Sequence, residues 1–190
     1  MKSLIVKLGV SLLCLGVMTD TALGQIVYTV AFTRDLKKAG LEYAEPTEQW
    51  LHVTIPPRHE FMDYDLVLQN DRNDFEVRYS IHQDRHADMP IPASVTVSRL
   101  IASIASNDEI HEIHVKIPPD EFLKEAFNAD RGVIAYFTPK DGFSEKDFGA
   151  LLSLYAEDRP AVDIILLYMD PAFDPLSMYR SMRYADLRNE

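Results

Sequence analysis

Two segments in the first half of the chain alternate apolar and polar positions, which is the period of a β-strand. They run from Asp63 to Gln69, where Val67 is an apolar exception on the polar side, and from Phe75 to His82. Most residues between them are Asn or Asp, which favour turns because their side chains bond to the local backbone. The pattern predicts an antiparallel hairpin with its polar face in solvent.

The hydrophobic period then changes to that of a helix over residues 94–106. The expected buried face of this helix consists of Val97, Leu100, Ile101, Ile104 and Ala105. A strand follows, in which Ile113, Val115 and Ile117 alternate with polar residues, and the prolines at 118 and 119 end it. A short helix is predicted over residues 120–127.

Three further strands are predicted at 132–137, 149–155 and 161–169, joined by segments rich in turn-forming residues. The last is apolar on both faces, which predicts a central strand covered on each side. Asp174 and Pro175 are typical of the first positions of a helix. Leu176, Tyr179 and Met182 are its expected buried stripe.

The region before the hairpin is less regular. Short strands are predicted at 41–44 and 50–55, and Pro56 would end the second. Residues 25–40 are ambiguous: residues 26–30 suit a strand, or the tail of an export signal before a short helix over residues 35–38. Gly40 would end such a helix, because glycine adopts the left-handed conformation that a helix terminus often needs.

Strands and helices do not alternate strictly along the chain, and short turns join the later strands. This order predicts an α+β fold with a mostly antiparallel β-sheet flanked by helices. The sequence contains no internal repeat and no linker rich in Gly, Ser or Pro. We therefore interpret residues 41–190 as a single α+β domain that follows the ambiguous segment 25–40.

The first 24 residues have the pattern of a secretory signal peptide. Two lysines precede an apolar run from Leu8 to Met18, and small residues lead to Gly24. The run is too short to cross a bilayer core of about 30 Å, which disfavours a permanent anchor. We expect cleavage after Gly24, which gives a secreted or periplasmic protein with no stable membrane span.

The only cysteine of the chain, Cys14, lies inside this apolar run. Leu12 and Leu13 precede it, whereas a lipidated cysteine requires small residues there. If Cys14 leaves with the signal, the mature chain has no thiol. Disulfides, thiolate metal sites and cysteine nucleophiles are then excluded.

Charge narrows the classes of partner. The chain has 30 acidic and 19 basic residues, for a formal net charge of −11 at pH 7. Such a charge repels nucleic-acid backbones and anionic lipid headgroups, and Lys37-Lys38 is the only adjacent basic pair. We therefore expect no nucleic-acid partner.

The order of elements resembles the PsbP-like fold, including exported bacterial proteins of the DcrB-like type. The resemblance depends on the segment from Glu125 to Gly132, on Phe137 and Phe143 after it, and on the apolar strand ending at Met169. Members of this fold are mostly binding or assembly proteins without catalytic chemistry. The resemblance implies a similar role here, and it assigns no functional residue.

Two histidine pairs, His82/His86 and His111/His114, are the candidate metal ligands. Imidazole binds zinc and copper, but the i, i+4 spacing of the first pair requires a helix, and His82 ends a predicted strand. On a strand, the second pair would point to opposite faces. Neither pair is preorganised, so we predict no metal site and no cofactor.

Catalytic motifs are absent from the sequence. The acidic residues around Gly142 lack the spacing of a calcium loop, and Ser144 lacks the second glycine of a nucleophile elbow. Phosphate-binding glycine patterns are missing as well. We predict no catalytic residue, although a hydrolase with dispersed acid–base residues stays open.

The aromatic residues that fall outside predicted strands are the remaining candidates. Phe143 and Phe61 are expected to be exposed in loops, where aromatic side chains can anchor a protein partner. The leading hypothesis is an exported, non-catalytic protein that acts by protein–protein contacts in the periplasm or envelope. The alternatives are a small-ligand or metal carrier using the histidine pairs, and the hydrolase.

Overall fold

A computed structural model describes residues 28–44, 51–53, 63–83, 93–107 and 113–186. The elements in chain order are α1 (Val30–Ala39), β1 (Leu41–Tyr43), β2 (Leu51–Val53), β3 (Leu66–Asn70), β4 (Phe75–His82), α2 (Ala93–Ile104), β5 (His114–Lys116), α3 (Asp120–Phe127), β6 (Arg131–Phe137), β7 (Phe148–Tyr155), β8 (Ala161–Tyr168), α4 (Pro175–Tyr179) and β9 (Met182–Tyr184). The predicted α+β class, with an antiparallel sheet flanked by helices, is confirmed.

Seven strands form one antiparallel sheet in the order β2-β3-β4-β8-β7-β6-β5. β8 is the middle strand, which confirms the prediction from its two apolar faces. It pairs with β4 over eight residues, with Phe75 opposite Tyr168 and His82 opposite Ala161. Helix α2 lies between β4 and β5 in the chain, and these two strands are far apart in the sheet.

The two faces of the sheet contribute to two separate hydrophobic clusters. On the face that we call the α2 face, Val97 and Ile101 of α2 pack with Leu151 and Ile165 of the sheet. On the opposite face, α1, α3, α4 and a small second sheet pack over residues such as Leu152. Because successive strand residues point to opposite sides, the strands β6, β7 and β8 contribute to both clusters, whereas β3 and β4 contribute only to the one on the opposite face.

Helix α1 resolves the ambiguity of residues 25–40 for the described part. The Thr29 side chain accepts a hydrogen bond from the Phe32 amide at 3.1 Å, and Gly40 ends the helix at φ 62°. The helical alternative is therefore correct, and Gly40 ends it as predicted. The helix begins earlier than the expected Asp35, because Phe32 is part of the buried stripe that also contains Ala39.

The end of the chain differs from the prediction. Asp174 caps α4 as expected, accepting from the Leu176 amide at 3.0 Å, but the helix ends at Tyr179. Met182 lies in β9, which pairs with β1 in a two-stranded sheet, so its placement on the helix was wrong. The periodicity explains the change: Met182 and Tyr184 are both fully buried, and a spacing of two suits a strand.

The hairpin of β3 and β4 is confirmed, but its predicted solvent-facing side is wrong. Glu76, Arg78 and Ser80 are all buried on the α2 face. The tertiary structure explains this difference. β4 pairs with the middle strand β8, and other parts of the chain cover the polar side of β4.

The described helices are short. The longest, α2, has 12 residues, whereas a helix that crosses a bilayer needs about 20. In the part of the chain that the structure describes, we find no helix with the length and apolar character of a membrane span. The predicted signal segment 1–24 lies outside the described residues.

Candidate functional site

The first notable group surrounds Arg78, a guanidinium that is only 2% exposed. Its Nε donates to Glu76, Nη1 donates to the Tyr64 hydroxyl at 3.2 Å, and Nη2 donates to the carbonyl oxygen of Phe143 at 3.2 Å. The rings of Phe143 and Tyr64 lie 4.6 and 5.1 Å from its Cζ. The ion pair and the ring contacts together compensate for the loss of water around the charge.

This arrangement corrects the prediction for Phe143. Its side chain is 2% exposed, so the expectation of an exposed partner anchor was wrong. The ring covers Arg78, and the Lys146 ammonium in the same loop donates to Asn73 Oδ1 at 2.7 Å. These two contacts hold the loop between β6 and β7 against the hairpin of β3 and β4. Phe61, the other predicted contact, lies outside the described residues.

A second polar group lies on the same face, where β4, β8 and β7 adjoin. Asp163 is fully buried, and one of its carboxylate oxygens lies 2.8 Å from His82 Nε2. The Ser153 hydroxyl donates to the other oxygen, and Ser153 Oγ is 3.3 Å from the Tyr155 hydroxyl. Strand register places Ser80, Asp163 and Ser153 side by side, which is why the sequence could not reveal the group.

The order of these side chains does not suit nucleophilic catalysis. In a serine hydrolase the histidine lies between the serine and the carboxylate, whereas here Asp163 lies between Ser153 and His82. Ser153 is also fully buried, so a substrate has no access to its hydroxyl. We interpret the group as a satisfied polar network that connects three strands.

The structure describes one member of each histidine pair. His82 is engaged by Asp163, and His114 lies on the exposed strand β5. His86 and His111 lie outside the described residues. Within the described ranges, we find no group of three or more His, Cys, Asp or Glu side chains that could hold a metal ion.

The buried tyrosines of the opposite face do not offer acid–base chemistry. The Tyr79 hydroxyl lies 2.8 Å from Ser181 Oγ, and the Tyr43 ring packs edge-on against Tyr79 at 5.5 Å. Burial raises the pKa of Tyr79 and also the pKa of Tyr43, because a phenolate would lose its hydration. Both phenols therefore stay protonated near neutral pH and serve in packing.

The edge strand β5 is the most unusual surface feature. Ile113, Val115 and Ile117 are 44%, 49% and 73% exposed. Val115 lies on the α2-face side of the strand, since it is opposite Ala135 of β6, and Ile113 and Ile117 flank the strand at its two ends. Among the described residues, β5 pairs with β6 and with no second strand. The sequence predicted this strand correctly, but its alternation did not show that the apolar side lies outside the core.

No protein-family model matches the chain, and no curated protein or solved structure matches it either. The resemblance to the PsbP-like fold therefore stays a prediction. The evidence on function therefore comes from the described residues themselves. Among them, β5 is the one exposed apolar feature with a regular pattern.

Proposed function

We propose that this chain is an exported, non-catalytic protein that binds a protein partner in the periplasm or envelope, using the edge of β5 that pairs with no strand among the described residues. The observation that carries the proposal is the exposure of Ile113, Val115 and Ile117 on one side of an edge strand. Export is inferred from the pattern of residues 1–24. The predicted resemblance to exported binding proteins is in keeping with it.

The physical reason is that an edge strand presents main-chain groups that another strand can pair with. In strand addition, main-chain hydrogen bonds supply affinity and alternate side chains supply specificity. Natural edges are commonly protected by charged side chains. In β5 the polar residues His114 and Lys116 alternate with the apolar ones and leave a continuous apolar side, which favours recognition by another apolar strand.

The test is site-specific photo-crosslinking in the native host. A benzoylphenylalanine introduced at Val115 should give a discrete protein adduct. The matched control is the same probe at Met169, which is 39% exposed and directly follows the central strand β8. Equal adducts at both positions, or none at either, would contradict the proposal.

Export is tested separately. Mass spectrometry of the native protein should find Gln25 as the first residue, in an extracellular or periplasmic fraction. Recovery of the chain with Met1 intact from the cytoplasmic fraction would contradict export. The proposed contact through β5 would then still be tested by the crosslinking experiment.

A further inference from the structure

The exposed strand has a pattern that is symmetric about its centre. Residues 113–117 are Ile-His-Val-Lys-Ile, with apolar side chains at both ends and in the middle. If two copies align antiparallel about Val115, then Val115 meets itself and Ile113 of one copy meets Ile117 of the other. Side chains opposite each other on adjacent strands are close enough to pack, with Cβ atoms about 5 Å apart. The apolar side of β5 is thus complementary to itself.

We propose that β5 pairs with β5 of a second copy across a twofold axis at Val115, so that the two seven-stranded sheets become continuous. This inference rests on the proposed function, since it names the partner as another copy of the chain. A twofold interface uses the same patch on both subunits, and a self-complementary strand meets that requirement. The pairing would bring the six exposed β-branched side chains of two copies together on the α2-face side.

Acidic side chains are absent from this edge, which removes one obstacle to self-association. The chain is acidic overall, but residues 113–119, between Glu112 and Asp120, contain no acidic side chain and include Lys116. Two copies that meet here avoid bringing carboxylates together at the contact. Their net charge of −11 each still repels at longer range, and salt screens that repulsion. Dimerisation should therefore strengthen with ionic strength, whereas binding to a basic partner would weaken.

The contact is small, so the expected dimer is weak. Two copies of the three-residue strand β5 with its flanking isoleucines bury well under the roughly 1,200–2,000 Å² of a stable interface. We expect a dissociation constant on the order of 10–100 μM, which corresponds to reversible assembly. The monomer should predominate in dilute solution and the dimer in concentrated solution.

The first experiment is sedimentation velocity of the native processed protein from about 1 to 500 μM, a range that brackets the expected dissociation constant. The wild type should shift from monomer to dimer across this range. At each concentration, the dimer fraction should be larger in high salt. Val115→Lys should raise the dissociation constant at least tenfold, because it places two ammonium groups face to face at the axis. Met169→Lys, the matched control, should dimerise like the wild type.

The second experiment tests the geometry. Val115→Cys places two thiols opposite each other at the twofold axis, within the reach of a disulfide. Mild oxidation should give a covalent dimer far faster than with Met169→Cys. Both sites are exposed, so circular dichroism should show that all four variants keep the wild-type fold.

The outcomes separate the two proposals. A wild type that stays monomeric, together with equal oxidation of the two cysteine variants, overturns self-pairing. If photo-crosslinking at Val115 then yields a different protein, the β5 edge is still a partner site and only the second copy is excluded. A dimer that Val115→Lys leaves intact also overturns the inference, because it places the contact elsewhere.

Discussion

The two faces of the seven-stranded sheet bury their central residues by different means. The opposite face is covered with apolar and aromatic residues, among them Leu152, Ile164 and Tyr79. The α2 face combines an apolar cluster under α2 with buried Arg78 and Asp163. On that face, each buried charge has a specific partner, whereas the other face is mainly apolar and its buried polar groups, such as the Tyr79 hydroxyl beside Ser181, are uncharged.

The comparison shows that polar residues in a strand do not by themselves identify a solvent-facing side. A buried charge is tolerated when hydrogen bonds and an opposite charge replace its hydration. Arg78 has Glu76, Tyr64 and Phe143 around it, and Asp163 has His82 and Ser153. We therefore expect the α2 face to be sensitive to the loss of single partners, and the opposite face to changes of volume.

The largest effect is expected at Arg78. Arg78→Ala should lower the free energy of unfolding by about 3–5 kcal/mol, because it leaves Glu76 buried without its counter-ion. Urea denaturation measures the change. As a control, Arg34→Ala removes an arginine from an exposed ion pair with Asp35, and it should leave the unfolding midpoint unchanged.

A double variant shows whether charge pairing or simple packing explains the result. Glu76→Leu/Arg78→Met removes both charges and should recover much of the stability that Arg78→Ala loses. If the double variant is as unstable as the single one, the ion pair is not the cause, and the contacts of Tyr64 and Phe143 with the guanidinium gain importance.

The next effect concerns Asp163. Asp163→Ala should cost about 2–3 kcal/mol, because it leaves the buried Ser153 hydroxyl and the His82 imidazole without their acceptor. Asp147→Ala, at an exposed carboxylate, should cost little in the same urea titration. A double-mutant cycle with His82→Ala should give a coupling energy of about 0.5–3 kcal/mol. Additive losses would show that the network is not a unit.

Glycines on the two faces provide a smaller, volume-based comparison. A Cβ at Gly149 would lie 2.6 Å from the Phe137 ring on the α2 face, and one at Gly132 would lie 2.6 Å from Leu123 Cδ2 on the opposite face. A phenyl ring adapts less readily than a leucine methyl. Gly149→Ala should therefore cost about 1–3 kcal/mol, and Gly132→Ala less.

Thermal unfolding of both variants measures this difference. Phe137→Leu combined with Gly149→Ala should relieve the overlap, so that the double variant loses less than the sum of the two single changes. Equal losses at Gly149 and Gly132 would show that the two faces adapt equally well to added volume.

The smallest expected effect is on how the free energy of unfolding depends on pH. This dependence has opposite signs for the carboxyls of Asp65 and Asp130. Burial raises the pKa of Asp65, although the Ile81 amide that donates to it at 2.6 Å acts in the opposite direction. Its contribution to stability is therefore present below the unfolded pKa and lost as pH rises through the folded pKa.

The Glu157 amide, which donates at 2.7 Å, lowers the pKa of Asp130, with a further contribution from Lys124. That contribution is present above the unfolded pKa and is lost as pH falls through the folded pKa.

The free energy of unfolding measured from about pH 3 to pH 8 tests both signs. Asp65→Asn should be more stable than the wild type near neutral pH, and Asp130→Asn less stable, with both differences shrinking in acid. Differences of the same sign would show that burial does not dominate at Asp65.

Several elements could be predicted because their causes are local. Gly40, Asp174 and Pro175 occupy helix-terminal positions whose preferences depend on a few neighbouring residues, whereas the Thr29 cap was not predicted. The candidate sites were predicted less well. His82 was weighed only as a candidate metal ligand and set aside, and its contact with Asp163, 81 positions away in the chain, was not predicted. Phe143 was expected at the surface, and it covers an arginine 65 positions away.

The sequence by itself determined most of the strands and helices, the α+β class and the central place of β8, since periodicity and capping depend on neighbouring residues, but it missed the start of α1 and strand β9. Only the tertiary structure decided that β4 and β8 adjoin, that the polar side of the hairpin is buried, and that the apolar side of β5 is exposed. The physical reason is that burial depends on which distant segments lie against a strand. A pattern of alternating residues has two sides, and the fold selects which of them faces the core.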